Sequence, residues 1–509
     1  MNRKIRTVIL VIIAASITIS YVSYTFIGSE AKNKENSTKS NHPSYKIDST
    51  LPNVLSIVPI RGTYVTLYPL PNGTAPNSIL VDKEGAIWSV GSKIHDLFRF
   101  DPNTNVLKEY EIPGEQDNNN YRMSWSMVQD NEGNIWFSQF DKHPIWRFNP
   151  NDDVFTSFHS HVQYAPFQMK HDVKTDNIWF TTLSGRSLGV IQKVQDFGSV
   201  ADQYGINEFP IGNDTMPSGL YVNGDSIWVT ELKQGKIIKF DAISTSNGII
   251  DGIKQEDDIP TGSNRPFSLP TDVLLSGNDQ FLWVTEHGPS TVTRYDIDSQ
   301  KSIQFPTAKN KYDVASLPFW LRESTDGKGI WFNEHEGGNI GFLTNNLTLT
   351  EFHLQNIPQN SIPLMLNLAT DPINHNKLWF SLWTTDEIGV VDKSVLCPFD
   401  LIISKNKVTL AQSENYTLTH IAIIKNPTVN TKDVIFLNAS SSMLPDGSLE
   451  NMTVQFSVPT LHITRQTQNK TVIELTLNDQ SLEKGNYTIG LSARDALLTK
   501  TVFVYLTVS

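Results

Sequence analysis

Cysteine is almost absent from the chain, with one residue, Cys397, in 509. That excludes an intrachain disulfide and any cysteine-cluster zinc or iron–sulfur site. Positive charge is also in deficit: 41 Lys plus Arg stand against 53 Asp plus Glu, a net charge of −12. Such a balance argues against a nucleic-acid binder that depends on phosphate neutralisation. Several catalytic signatures are missing as well. There is no G-x-S-x-G, no Walker-type phosphate loop, no dinucleotide fingerprint and no H-E-x-x-H. Tryptophan is confined to one region, since all eleven lie between Trp88 and Trp383 and none beyond.

At the N-terminus, Arg3, Lys4 and Arg6 precede an uncharged stretch over residues 7–27 that is rich in Ile and Val. At a helical rise of about 1.5 Å per residue this run reaches roughly 30 Å, enough to cross a bilayer's hydrocarbon core. Residues 1–30 are therefore expected to form a transmembrane signal-anchor helix. A signal peptide cleaved near Ser29-Glu30-Ala31 is the other reading. The basic residues in front place the remainder outside, so the protein is expected on the extracellular side of the cell membrane, anchored or secreted. Residues 31–60, rich in Lys, Asn and Ser at their start, read as a flexible linker.

The strongest signal is internal repetition. A Trp preceded by Ile or Leu recurs at Trp88, Trp136, Trp179, Trp228, Trp283, Trp331 and Trp379, at intervals of 48, 43, 49, 55, 48 and 48. Each unit has a Pro-containing start with a short apolar run, an Asp/Asn/Gly turn and an IWF-like segment. An Ile/Val run such as KIIKFD and a closing segment such as KEYEIP or IQFP follow. Four strand-length runs per unit, rich in β-branched and aromatic residues, match a β-propeller blade. The expected fold is all-β: a seven-bladed β-propeller over residues 61–396, then an immunoglobulin-like β-sandwich over 397–509. The last unit lacks a fourth strand, and the segment TYVTLYPLP at residues 63–71 supplies one, so the ring is expected to close by pairing the two.

In a propeller, residues leaving the second strand of each blade meet those entering the first strand at the mouth of the central channel. Three positions after the repeat tryptophans stand Gly91, Gln139, Thr182, Glu231, Glu286, Glu334 and Leu382. Three successive units place a carboxylate there, and two are followed by histidine: Glu286-His287, and Glu334-His335-Glu336. Converging carboxylates suit a hard cation, Mg²⁺ or alternatively Ca²⁺, and a neighbouring imidazole suits general acid–base work. Phe319 and Trp320 are candidates for an apolar pocket floor that would take a ring-bearing ligand.

At these residues the chain resembles the streptogramin B lyase (virginiamycin B lyase) family. The resemblance is carried by the formula Pro-x-x-apolar…Asp-x-x-Gly-x-Ile-Trp-Phe-x-Glu…Ile-Gly, as in VDKEGAIW, QDNEGNIWFSQ and IWFNEHEGGNIGFL, over roughly residues 61–395. It implies a carbon–oxygen lyase that opens a cyclic ester or depsipeptide without water. A base removes the proton α to the ester carbonyl, Mg²⁺ steadies the developing charge, and the ester oxygen leaves. Carried over by residue, the metal role falls to Glu286, Glu334 or Glu336, with Glu231 as a further candidate, and the base role to His287 or His335. Each of these His residues directly follows a Glu, and adjacent side chains of an extended strand point to opposite sides. Two other readings stand beside the lyase. One is a non-catalytic extracellular scaffold for a glycan, peptide or envelope protein; the other is a lactone hydrolase-type propeller.

Overall fold

The computed structural model describes residues 45–48, 51–113, 122–140, 145–158, 164–194, 204–261, 268–276, 279–307, 316–335, 337–355, 363–410, 415–425, 433–442, 452–463, 468–477 and 484–509. The helix expected over residues 1–30 lies outside them. Among the described residues no helix is long and apolar enough to cross a membrane.

The described chain is an all-β propeller. Each repeat tryptophan occupies the second strand of its own antiparallel sheet, and the sheets are named here by that residue. The Trp88 sheet is Pro76–Val81, Ile87–Gly91, Asp96–Asp101 and Val106–Glu111. The Trp136 sheet follows with Met127–Gln129, Ile135–Ser138, Ile145–Asn149 and Val154–Phe158. Next come the Trp179 sheet, from Gln168–Asp172 to Tyr204–Pro210, and the Trp228 sheet, from Pro217–Asn223 to Ile250–Pro260. The Trp283 sheet runs from Pro270–Ser276 to Lys301–Pro306, and the Trp331 sheet from Pro318–Glu323 to Leu349–His353. The Trp379 sheet has only Met365–Thr370, Lys377–Leu382 and Glu387–Asp392 from its own stretch of chain. Its fourth strand is Val65–Pro69, with Val391 opposite Val65 and Glu387 opposite Pro69. The expected closure between the two ends of the ring is therefore present.

The tryptophans hold neighbouring sheets together. Trp88 shares a core with Phe137, Phe148 and Phe155 of the next sheet, and Trp136 with Met169 and Phe180. The pattern continues around the ring until Trp379 meets Ile79, Phe98 and Phe100 of the first sheet. All seven are buried, and truncating one such side chain to Ala costs about 3–5 kcal/mol. The Asp of the turn before the Trp has a matching task in the Trp88, Trp136 and Trp379 sheets. Asp82 Oδ1 accepts from the amides of Glu84 and Ala86 at 3.1 and 2.8 Å, while Oδ2 accepts from the Trp88 indole at 2.7 Å. Asp130 does the same for Glu132, Asn134 and Trp136. The Ile-Gly of the repeat also has a steric cause. A Cβ at Gly341 would lie 2.1 Å from the ring of Phe332, and one at Gly389 2.2 Å from Phe380.

Two boundaries differ from expectation. The segment expected as linker up to residue 60 contains three strands: Tyr45–Asp48 extends the outer edge of the Trp136 sheet, Asn53–Ser56 that of the Trp88 sheet, and Ile60–Arg61 that of the Trp379 sheet. Its charged, Asn-rich start conceals this alternation; Leu55 and Ile57 turn inward while Val54 and Val58 stay exposed. The C-terminal part, in turn, is not a separate body. Leu498–Val508 pairs with Leu349–His353, so the Trp331 sheet continues through Leu498–Val508, Gly485–Arg494, Asp433–Ser442 and Thr460–Ile463. A second sheet, Phe399–Ile403, Asn415–Lys425, Gln468–Leu477 and Met452–Phe456, accompanies it. One apolar core runs from Trp331 and Phe352 to Val408, Ile435 and Leu491.

Candidate functional site

His287 and His335 occupy equivalent places in successive sheets. Each follows the last residue of a second strand, and its amide donates to the residue that leads into the innermost strand: His287 N to Leu269 O at 3.1 Å and His335 N to Leu317 O at 3.0 Å. The rings therefore meet at the mouth, with centroids 5.7 Å apart. Phe319 lies 5.5 Å from His287 and 5.1 Å from His335. An aromatic floor continues from Phe319 to Trp320 at 4.8 Å, from Trp320 to Phe167 at 5.5 Å, and from Phe167 to Trp125 at 5.0 Å. Within it Trp320 is fully buried, its indole donating to Leu366 O, whereas Phe319 is half-buried and faces the imidazoles. Of the expected floor pair, Phe319 is thus the open member and Trp320 a core residue.

Both imidazoles are neutral near pH 7. Burial holds His287 down to about 4, against the pull of the Pro318 and Leu317 carbonyls. It holds His335 down to about 3, with His287 adding to the effect. His335 Nδ1 is buried without a hydrogen-bond partner.

The preceding carboxylates point the other way, as strand alternation requires. Glu286 Oε2 accepts from the hydroxyls of Thr291 (3.1 Å) and Thr293 and from Gln304 Nε2 at 2.8 Å. All three partners belong to its own sheet. Glu334 Oε2 accepts from Asn339 Nδ2 at 2.5 Å. Burial, reinforced by the adjacent Glu351, pushes the Glu334 carboxyl well above the usual range, with Arg494 of the C-terminal sheet acting in the opposite sense. Glu231 accepts from the amides of Met216 and Gln234, the turn-capping role of a repeat residue. Glu336 lies outside the described residues. The structure thus brings His287 and His335 together and keeps Glu231, Glu286 and Glu334 apart. Among the described residues no group of three or more His, Cys, Asp or Glu is placed to hold a metal ion. A Mg²⁺ or Ca²⁺ centre needs several free oxygen donors at one point, and the described carboxylates do not fit one.

A second polar assembly, missed in the sequence, spans the channel below the floor. Gln168 Nε2 donates to Asp272 Oδ1 at 2.9 Å. Asp272 Oδ2 accepts from Leu321 N at 2.8 Å and Arg322 Nη1 at 3.3 Å. Arg322 Nη2 donates to Asn367 Oδ1 at 3.0 Å, and Asn367 Nδ2 to Trp125 O at 2.8 Å. The available signal was Asp272, a charged residue inside an innermost strand with no charged neighbour in sequence. His171, in the same strand as Gln168, is paired with Asp176 at 2.7 Å.

A propeller with an aromatic and imidazole mouth is the class that this fold and site define. No family model matches the sequence, and no curated protein matches it. Among solved structures, the chain is similar to a catalytically inactive virginiamycin B lyase from Staphylococcus aureus with quinupristin. That likeness has 21% identity and a TM-score of 0.51, covering 64% of this chain and 98% of the other. It is also similar to a streptogramin B lyase at 22% identity and a TM-score of 0.51, covering 65% of this chain and 97% of the other. At this identity the likeness is one of fold, and the fold is that of a virginiamycin B lyase-like β-propeller.

Proposed function

We propose that the protein is an exported, N-terminally tethered seven-bladed propeller of the streptogramin B lyase type, carrying an immunoglobulin-like C-terminal sandwich, whose channel mouth recognises a cyclic, ring-bearing peptide or ester. The observation that carries this reading is the meeting of His287, His335 and Phe319 over an aromatic floor. Aromatic side chains with a few placed polar groups are what line a ligand site. The similar lyase solved with quinupristin supports the ligand class.

A second reading is catalytic: an elimination in which one imidazole takes the proton from the carbon adjacent to the one bearing the ester oxygen, a C=C bond forms, the alkyl C–O bond breaks and the ester oxygen leaves as a carboxylate. It is favoured by the Nδ1 of His335, which is buried without a hydrogen-bond partner among the described residues. The described carboxylates contribute no step to it.

The test incubates the full chain with a cyclic depsipeptide, with and without added Mg²⁺. Affinity is followed calorimetrically and ring opening by mass spectrometry. Binding that weakens at least tenfold in His335→Ala and Phe319→Ala supports recognition at this mouth. Ring opening lost in His335→Ala or His287→Ala establishes the catalytic reading. Binding of equal strength in all variants places the ligand elsewhere and ends both.

A further inference from the structure

Directly across from the repeat tryptophans, the innermost strands carry uncharged residues in every sheet but two. The exceptions are Lys170, opposite Trp179, and Arg322, opposite Trp331. Lys170 lies three residues beyond Phe167 of the aromatic floor and Arg322 two beyond Trp320. At about 3.3 Å per residue, both sit roughly 7–10 Å below that floor.

Their hydrogen bonding is unequal. The guanidinium of Arg322 is committed to Asp272, Asn367, Leu368 O at 2.9 Å and Leu321 O at 2.6 Å. Asp272, the carboxylate nearest both cations, is fully buried and already accepts from Gln168, Val273 and Leu321 as well as Arg322. Lys170 forms no hydrogen bond or ion pair among the described residues, although solvent still touches its side chain. Two cations thus share one carboxylate in a confined space, and one of them has three unused donors. An ammonium so placed either gives up its proton or acquires an anion. Burial, with Arg322 adding to the effect and Asp272 opposing it, brings Lys170 down to about 8.

We propose that the channel below the aromatic floor is an anion site, in which Lys170 binds a small carboxylate or phosphate-type oxyanion and Arg322, fixed by Asp272 and Asn367, supplies the second positive charge. The site uses none of the mouth residues, so it stands or falls independently of the function proposed above.

The test uses the full chain at constant ionic strength, with inorganic phosphate and acetate as separate probes against a chloride background. Acetylation of Lys170 by acetic anhydride, mapped by mass spectrometry across pH 6–10, reads the amine's titration. A bound anion raises the half-point by about one pH unit, a roughly fivefold slowing at pH 8. The heat of anion binding disappears in Lys170→Met and persists in Lys170→Arg, with near-ultraviolet circular dichroism of the tryptophans confirming that both variants fold. Response to phosphate alone identifies an oxyanion site, and response to both probes a general carboxylate and oxyanion site. A half-point moved by neither probe, or equal binding in Lys170→Met, overturns the proposal.

Discussion

A one-residue difference decides the chemistry of the mouth. Glu and His alternate at the end of the second strand, so the two sit on opposite faces. Each Glu turns back over its own sheet and each His faces the channel. The formula around the tryptophans located the right segment but could not say which of two adjacent polar residues faces the ligand. A consequence of the burial can be measured. An unfolded histidine takes up a proton near pH 6.5, whereas folded His287 does so only near 4 and His335 near 3. As pH falls below about 6.5, protons bind the unfolded chain first, and these two groups cost stability at about 1.4 kcal/mol per pH unit each. Glu334 acts in the opposite sense, because its raised carboxyl keeps its proton in the folded state as pH rises. That contribution is common to the parent and to a His287→Gln/His335→Gln variant. Urea unfolding at pH 7 and pH 5 is therefore expected to show a greater acid loss in the parent than in the variant, by on the order of 2–4 kcal/mol. Equal losses in the two proteins would contradict neutral, buried imidazoles.

At the scale of elements, the strands of the ring were legible because each obeys a local rule. In three sheets an Asp caps the turn and accepts from the Trp, in three a Gly admits an aromatic ring, and β-branched residues fill the sheets throughout. The strap over residues 45–61 was not legible. Its strands are only four, four and two residues long, and they lack the Trp and Asp marks because they add to sheets that are already complete. Its attachment is correspondingly modest: Asn53 Nδ2 donates to Glu109 at 2.9 Å, Ile57 N donates to Asn105 O at 2.8 Å, and Leu55 and Ile57 pack on the core around Trp379. Edge strands of this kind screen backbone groups that would otherwise invite pairing with another chain. The double substitution Leu55→Asp/Ile57→Asp is expected to release the strap while leaving the ring folded. Hydrogen exchange at the strap-facing amides of Val106–Glu111 should accelerate by at least tenfold, with tryptophan emission unchanged. Unaltered exchange there would mean that the strap is held by something other than these two side chains.

For the whole molecule, the composition shift after Cys397 marked the start of a new segment but suggested an independence that the backbone denies. A hydrogen-bonded ladder crosses from Leu349–His353 to Leu498–Val508, His353 Nε2 reaches the Thr499 hydroxyl at 2.8 Å, and Arg494 lies close enough to bias Glu334. That pull acts on Glu334, on the side of the strand turned away from the mouth, so the coupling it reports is between the module and the Trp331 sheet. A spacer joined through a linker would melt by itself, whereas a module sharing a sheet and a core with one blade has to unfold with it. Because every tryptophan lies between Trp88 and Trp383, fluorescence reports on the ring alone, while amide exchange over Leu498–Val508 reports on the C-terminal sheet. The two midpoints are expected to coincide within about 2 °C, and cutting the chain after residue 396 should lower the ring's own midpoint, since it bares the edge strand Leu349–His353 and opens the shared core. A C-terminal transition well below the ring's would show that the continuous ladder contributes too little to couple them.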